Sequence, residues 1–146
     1  MEDLPDHATI MEDIKQFFTQ DRYAKLSGIE LLSVSAGHAV AQMPIQPHHL
    51  NAVGCVQGGA IFTLADLAFA AASNAHGKVA VAINVSITYM KAATSGTLRA
   101  EAREVSANPK LGSYTVNITD EHNALIAVFQ GLVYRKDQAL PWAAKG

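Results

Sequence analysis

The sequence predicts an α+β fold in which a curved antiparallel sheet wraps one long central helix. Three observations predict it. Residues 58–75, GGAIFTLADLAFAAASNA, are apolar or small nearly all round a helix, so that helix must be enclosed rather than laid on a surface. Four strand-like runs follow it with hairpin-length links, which favours one antiparallel sheet. Two more runs precede it and flank Ala36-Gly37, a hairpin turn.

The elements follow in order along 146 residues, a length that suits one domain. That domain is read as 1–146, with a helical extension over 1–25 and a tail over 137–146. Residues 1–7 read as frayed. Thr9 is placed to cap a helix to about Gln20, with Ile10, Ile14, Phe17 and Phe18 near helical spacing. Asp21 caps a second short turn holding Tyr23 and Leu26, and Gly28 ends it. After the Ala36-Gly37 turn, Ala39, Ala41, Met43 and Ile45 alternate with Val40 and Gln42, and Pro47 stops the run. HHLNAVGCVQ reads as a loop. The long helix follows, with Gly77 as its C-cap. KVAVAINVSITYM then reads as a strand with Val79, Val81, Ile83, Val85, Ile87 and Tyr89 on one face. GTLRAEAREVS alternates through Leu98, Ala100 and Ala102, with Val105 joining after a slip. Asn108-Pro109 and Gly112 turn the chain. Tyr114, Val116 and Ile118 share the next strand's face, and 121–123 turn again. LIAVFQGLVYRK is near-continuously apolar, which predicts a central strand. Trp142 stands alone in the tail and is expected to dock on the surface or on a neighbour.

Composition excludes several function classes. The formal net charge is −2, so no basic excess points to nucleic acid. No long charge-free apolar run suggests a membrane span, and the acidic N-terminus does not read as a signal peptide. One cysteine, Cys55, allows no intrachain disulfide and suits a reducing, cytoplasmic setting. The histidines are scattered. His48-His49 lacks the acidic or thiol partners of a metal site, so neither metal nor cofactor is expected.

The chemistry gathers on the central helix. Asp66 is a carboxylate in an apolar stretch, and a buried charge is unfavourable unless it is hydrogen-bonded or reaches solvent. At helical spacing it shares a narrow seam with Thr63, Ala70 and Ser73. An ordinary solvated face is one reading of that seam. The absence of Lys, Arg and Glu from it favours another, in which Asp66 does chemistry. At the helix start, Gln57-Gly58-Gly59 leaves backbone N–H groups bare at the positive end of the dipole, suited to a developing oxyanion. A tight glycine turn is the competing reading. Eight residues of helix rise about 12 Å, so one chain's Gly58 and Asp66 cannot both reach one carbon. If both serve one site, Asp66 must come from a second copy, which predicts a homodimer, with dimers able to pair again.

The pattern Asn51-x-x-Gly54-x-x-Gln57-Gly58-Gly59-x-x-x-x-Leu64-Ala65-Asp66 resembles the central motif of the hot-dog acyl-CoA thioesterases, in the branch of phenylacetate-pathway and 4-hydroxybenzoyl-CoA-type enzymes. NVSITYMKAATSGTLRAEAREV is similar to that family's strand–turn–strand segment. The resemblance runs from about Gly28 to Lys136. It implies a hot-dog fold and hydrolysis of an aromatic or medium-chain acyl-CoA, with coenzyme A part of the substrate. It further implies that the Gly58 N–H binds the thioester carbonyl, and that Asp66 of the opposing subunit acts as nucleophile or general base. Asn51 would orient the acid or the water. Gln57, Gly59, Thr63, Ala82 and Asn84 would meet substrate. Two positions depart from the family pattern: Gln57 stands where His is usual, and Ala82 where Ser or Thr is usual, with Asn84 the nearby polar alternative. Lys91, Lys110, Arg135 and Lys136, near strand ends, are candidates for the coenzyme A phosphates. Two other readings are weighed beside this one. A non-catalytic acyl-ligand-binding dimer fits the two departures. An enoyl-thioester hydratase or dehydratase would need a His that this segment lacks.

Overall fold

The computed structural model describes residues 6–143. Helix α1 spans His7–Phe18. Its cap is Asp6, whose carboxylate accepts the Thr9 N–H at 2.8 Å, not Thr9 itself. An ionised carboxylate is the stronger acceptor for first-turn donors. His7 is therefore helical; residues 1–5 lie outside the described residues. Asp21 caps α2, Arg22–Leu26, accepting the Ala24 N–H at 3.0 Å. Strands β1 (Glu30–Ser35) and β2 (His38–Pro44) form the first hairpin. The segment expected as loop contains one 3-10 turn, Pro47–His49. The long helix α3 is Gly58–Asn74, followed by β3 (Lys78–Tyr89), β4 (Thr97–Ala107), β5 (Leu111–Thr119) and β6 (Leu125–Ala139).

The six strands form one antiparallel sheet in the order β1-β2-β4-β5-β6-β3. Its inner face packs on α3, the hot-dog arrangement. Leu64, Ala65, Ala68, Phe69, Ala71 and Ala72 of α3 are almost wholly buried, and alanines let the backbone approach the sheet closely. Closest is Phe69, which lies over Gly131 of β6. A Cβ there would sit 2.5 Å from the ring, so only glycine admits it. β6 lies between β5 and β3, inside the sheet as its apolar run implied.

The structure departs from simple alternation in β3. A register shift between Ala82 and Asn84 splices two patterns. Val85 and Ile87 pack on the core as expected, but Ile83 is 54% exposed. A similar shift between Glu104 and Ser106 leaves Val105 exposed, so the anticipated slip turns that side chain outward. β6 extends through Ala139, into the span read as tail. Leu140 N–H then bonds Gly77 O at 2.8 Å, and Trp142 is buried edge-on to Phe17 of α1 at 5.2 Å. β3 is an edge strand whose outer side meets no other strand. No helix among the described residues is long and apolar enough to cross a membrane.

Candidate active site

The N-terminus of α3 is anchored by backbone. Gln57 N–H donates to His49 O at 2.8 Å and Val56 N–H to Ala93 O at 2.8 Å. The Gln57 carbonyl accepts Ala60 and Ile61 N–H, and no side chain caps the helix. The N–H groups of Gly58 and Gly59 donate to none of the described residues. They are the bare first-turn donors that the sequence suggested.

Tyr89, at the end of β3, completes this corner. Its hydroxyl donates to the Gly58 carbonyl at 2.8 Å. A Cβ at Gly58 would sit 2.9 Å from the Tyr89 ring. Glycine at 58 is thus required by a close approach, while its φ is unexceptional. In the sequence Tyr89 is one of six apolar positions on a strand face, and nothing there marks it as the residue that holds Gly58. At Gly59 a Cβ would meet the Gln57 side-chain oxygen at 2.9 Å.

Asp66 is half-buried on the open side of α3, which runs Gly59, Thr63, Asp66, Ala70. Ser73 is not part of that seam. It is fully buried, and its hydroxyl donates to Phe69 O at 2.8 Å. The Asp66 carboxylate accepts no hydrogen bond from the described residues. Burial, and then the negative charge of Asp21 at the start of α2, push its pKa above the ordinary aspartate value. The acid is therefore desolvated, unpaired and beside a like charge, which are the conditions that raise basicity and nucleophilicity.

The other sequence-predicted residues fall into three groups. Gln57 and Thr63 line a small cavity of about 170 Å³ with Tyr23, Ser27, His48 and His49. The Thr63 hydroxyl donates to Gly59 O at 2.8 Å, leaving its oxygen able to accept. Asn51 stands apart from Asp66 within the chain. Its side-chain oxygen accepts Val53 and Cys55 N–H at 3.0 and 3.1 Å, which shapes the turn before α3 and leaves only the amide NH₂ for other work. Ala82 and Asn84 sit on β3 either side of its register shift. Ala82 pairs with buried Val133, on the inner face, whereas Asn84 pairs with Leu132 and lies with Ser86 and Gln130 on the outer face.

Among the proposed phosphate-binding cations, Arg135 is unavailable. It is buried, and its guanidinium bonds Asn108 O, Leu111 O, Tyr114 Oη and Glu104. Lys91 lies 4.0 Å from Asp120, and Lys110 lies over the Tyr134 ring. A larger cavity of about 370 Å³ opens among α1, α2, β1 and Leu67, with an apolar floor of Phe18, Ala24, Ile29, Leu31 and Leu67 and a polar wall that includes Lys15, Asp21, Lys25 and Glu30. The sequence carries no signal for it, because its walls meet only when α1 and α2 dock. No cluster of three or more His, Cys, Asp or Glu able to hold a metal occurs among the described residues.

Comparison with known proteins places this geometry in context. Residues 54–127 match the thioesterase superfamily, a span that contains Gly58, Asp66 and all of β3. A relative from Archaeoglobus fulgidus that carries an esterase name is 44% identical over 134 residues, covering 90% of this chain and 87% of its own. The acyl-coenzyme A thioesterase PaaI of Escherichia coli is 34% identical over 119 residues, covering 81% of this chain and 85% of its own. Its solved structure superposes with a TM-score of 0.84 at 31% identity, over 88% of this chain and 94% of that one. A Streptococcus mutans protein solved bound to acetyl CoA matches with a TM-score of 0.73 at 25% identity, over 77% of this chain and 91% of that one.

Proposed function

Because the chain belongs to the thioesterase superfamily, we propose that it is a thioester hydrolase that cleaves an aromatic or medium-chain acyl-CoA to free acid and coenzyme A. The observation that carries this reading is the pairing of bare Gly58 and Gly59 N–H donors with an unpaired, raised-pKa Asp66 on one helix. A thioester carbonyl set at the helix start would be polarised by the Gly58 N–H. Asp66 would attack the carbonyl carbon directly, or take a proton from an attacking water. The tetrahedral oxyanion then collapses, the C–S bond breaks, and the thiolate leaves as coenzyme A. Gln57 can donate a hydrogen bond near the carbonyl but cannot shuttle protons near neutral pH. Thr63 and Gly59 flank the same open seam, and the Asn51 NH₂ can reach the acid or water of a facing protomer. Asn84 contributes at most from the outer side of β3.

The site is proposed to be shared between two copies. The helix rise of about 12 Å between Gly58 and Asp66 supports this, as does β3, an edge strand with an exposed Ile83 that offers a free pairing edge. A homodimer, and from it a dimer of dimers, follows. The cavity beside Leu67, the residue next to Asp66, falls within the size range of small-molecule pockets and would receive the acyl group. A reducing cytoplasm suits the single Cys55.

A panel of acyl-CoAs, assayed by released thiol with the natural protein and Asp66→Ala, tests the reaction. Equal background rates for both would overturn it. Mixing Asp66→Ala with Gly58→Val tests sharing. Mixed dimers hold one intact site and regain activity, whereas unmixed samples of either variant stay inactive. No recovery on subunit exchange would place both groups in separate, unshared sites.

A further inference from the structure

His49 is 4% exposed, and the reaction described above gives it no chemical step. Both ring nitrogens are engaged. Nδ1 accepts the Gln46 N–H at 2.9 Å, and Nε2 lies 2.7 Å from the Ser27 carbonyl. A backbone N–H can only donate and a carbonyl can only accept, so the ring carries its proton on Nε2 and a lone pair on Nδ1. His49's own carbonyl accepts the Gln57 N–H at 2.8 Å. One residue therefore joins three points. These are the start of the 3-10 turn, the C-cap of α2, and the residue that caps α3 immediately before the bare Gly58 donor. α2 is also the element whose N-cap, Asp21, sets its charge against Asp66.

We propose that His49 is a positioning residue for hydrolysis: by tying the residue before Gly58 to α2 and the 3-10 turn, it fixes where the Gly58 N–H points. The inference rests on the reading of Gly58 as the oxyanion donor. Nothing else in the described structure ties α2 to the α3 cap by a side chain buried at both ends. The neighbouring His48 ring lies tilted at 56° to the His49 ring with 4.3 Å between centroids; the exposed His122, in the turn between β5 and β6, touches none of these groups and serves as the internal control.

Two conservative substitutions separate the two ring contacts. His49→Asn places an oxygen near the Nδ1 position and keeps the acceptor for Gln46 N–H. His49→Gln reaches further and keeps a donor for Ser27 O. The readouts are kcat and KM on an accepted acyl-CoA, together with the infrared carbonyl stretch of a ¹³C-labelled, non-hydrolysable acyl-CoA ketone analogue bound to each protein. The natural protein should shift the stretch to lower frequency, as hydrogen-bonded carbonyls do. Both variants should lose part of that shift. Their kcat should fall roughly 10- to 100-fold, the effect of a misplaced reacting group, with KM within about twofold because substrate binding is largely elsewhere. His122→Ala should change neither. Circular dichroism establishes that each variant is folded; if one is not, the other is read alone, and His49→Ser serves in place of both. Folded variants with the natural kcat and the natural carbonyl shift would overturn the proposal. A natural protein that leaves the stretch unshifted would instead overturn the Gly58 donor reading and leave His49 with nothing to position, so the two failures are told apart by the natural protein alone.

Discussion

The two ends of α3 treat polar groups in opposite ways. At its C-terminal end a cluster is nearly closed on itself, the Arg135 Nε alone among its buried polar atoms lacking a hydrogen bond in the described residues. Tyr114 Oη donates to Glu104 at 2.8 Å, His76 sits 2.7 Å from the same oxygen, and Arg135 bonds Tyr114, Glu104 and two backbone carbonyls. Burial would raise the Glu104 pKa, but the hydrogen bonds from Tyr114 and His76 and the charge of Arg135 outweigh it and hold the carboxyl below its usual range. At the N-terminal end the polar groups are left open. Among the described residues Gly58 and Gly59 N–H have no acceptor and Asp66 has no donor, and the Asp66 pKa goes up. Pairing converts charge into stability, whereas withheld pairing keeps it available for a reacting molecule. Similar residue types thus serve the fold at one end and chemistry at the other.

The sharpest test removes the open acid. Asp66→Asn should reduce kcat by about 10³-fold, within the range for a lost base or nucleophile. The same change should raise the melting temperature near neutral pH. The folded-state pKa of Asp66 lies above its unfolded value, so its ionised form favours unfolding at neutral pH. Below the ordinary carboxylate range the acid is neutral in both states, and the gain should vanish. Melting curves at the two pH values check this; a loss of stability at neutral pH would break the contrast from one side.

Arg135→Met should break it from the other. Asn108 O would lose the guanidinium, and Leu111 O, Tyr114 Oη and Glu104 would each lose one of their hydrogen bonds, at roughly 3 kcal/mol in denaturant unfolding, while kcat of the folded fraction stays unchanged. Gly58→Ala comes next. Its Cβ would press on the Tyr89 ring and tilt the first turn, and we expect kcat to fall about 10-fold or more with KM little affected. The smallest effect belongs to Asp21→Asn. The amide still accepts the Ala24 N–H and keeps the α2 cap, but the like charge beside Asp66 is gone. The acid limb of kcat/KM, where Asp66 takes up its proton, should move to lower pH. A limb that stays in place would show that burial alone sets the acid.

Much of this contrast was legible in the sequence at its open end. Periodicity announces α3, and an acid on a seam without Lys, Arg or Glu is visible one residue at a time. The glycine pair beside Gln57 is equally local. The closed end was not legible, because Glu104, Tyr114, Arg135 and His76 come from β4, β5, β6 and the segment after α3 and meet only through strand register. From sequence alone Arg135 therefore looks like a strand-end cation available to the coenzyme A phosphates. The same reason hid Tyr89 and His49, whose partners lie 31 and 22 positions away. The register shifts in β3 and β4 defeated alternation because one extra residue inverts every side chain beyond it. The sequence points to Thr9 as the cap because the apolar spacing that marks the helix starts at Ile10, whereas the backbone begins to coil at His7, capped by Asp6.

Gly131 and Phe69 occupy what is in effect a single volume. The ring fills the space that a methyl group would claim, and it also rests edge-on to Tyr114 and tilted against Phe129 at 5.6 and 5.4 Å. Neither position can change size alone: a methyl at 131 evicts the ring, and a smaller side chain at 69 leaves a void beneath β5 and β6. The two are free to drift only in lockstep. Any redesign of α3 around Asp66 inherits that exchange of volume as a boundary condition, three residues along the helix from the side chain it sets out to alter.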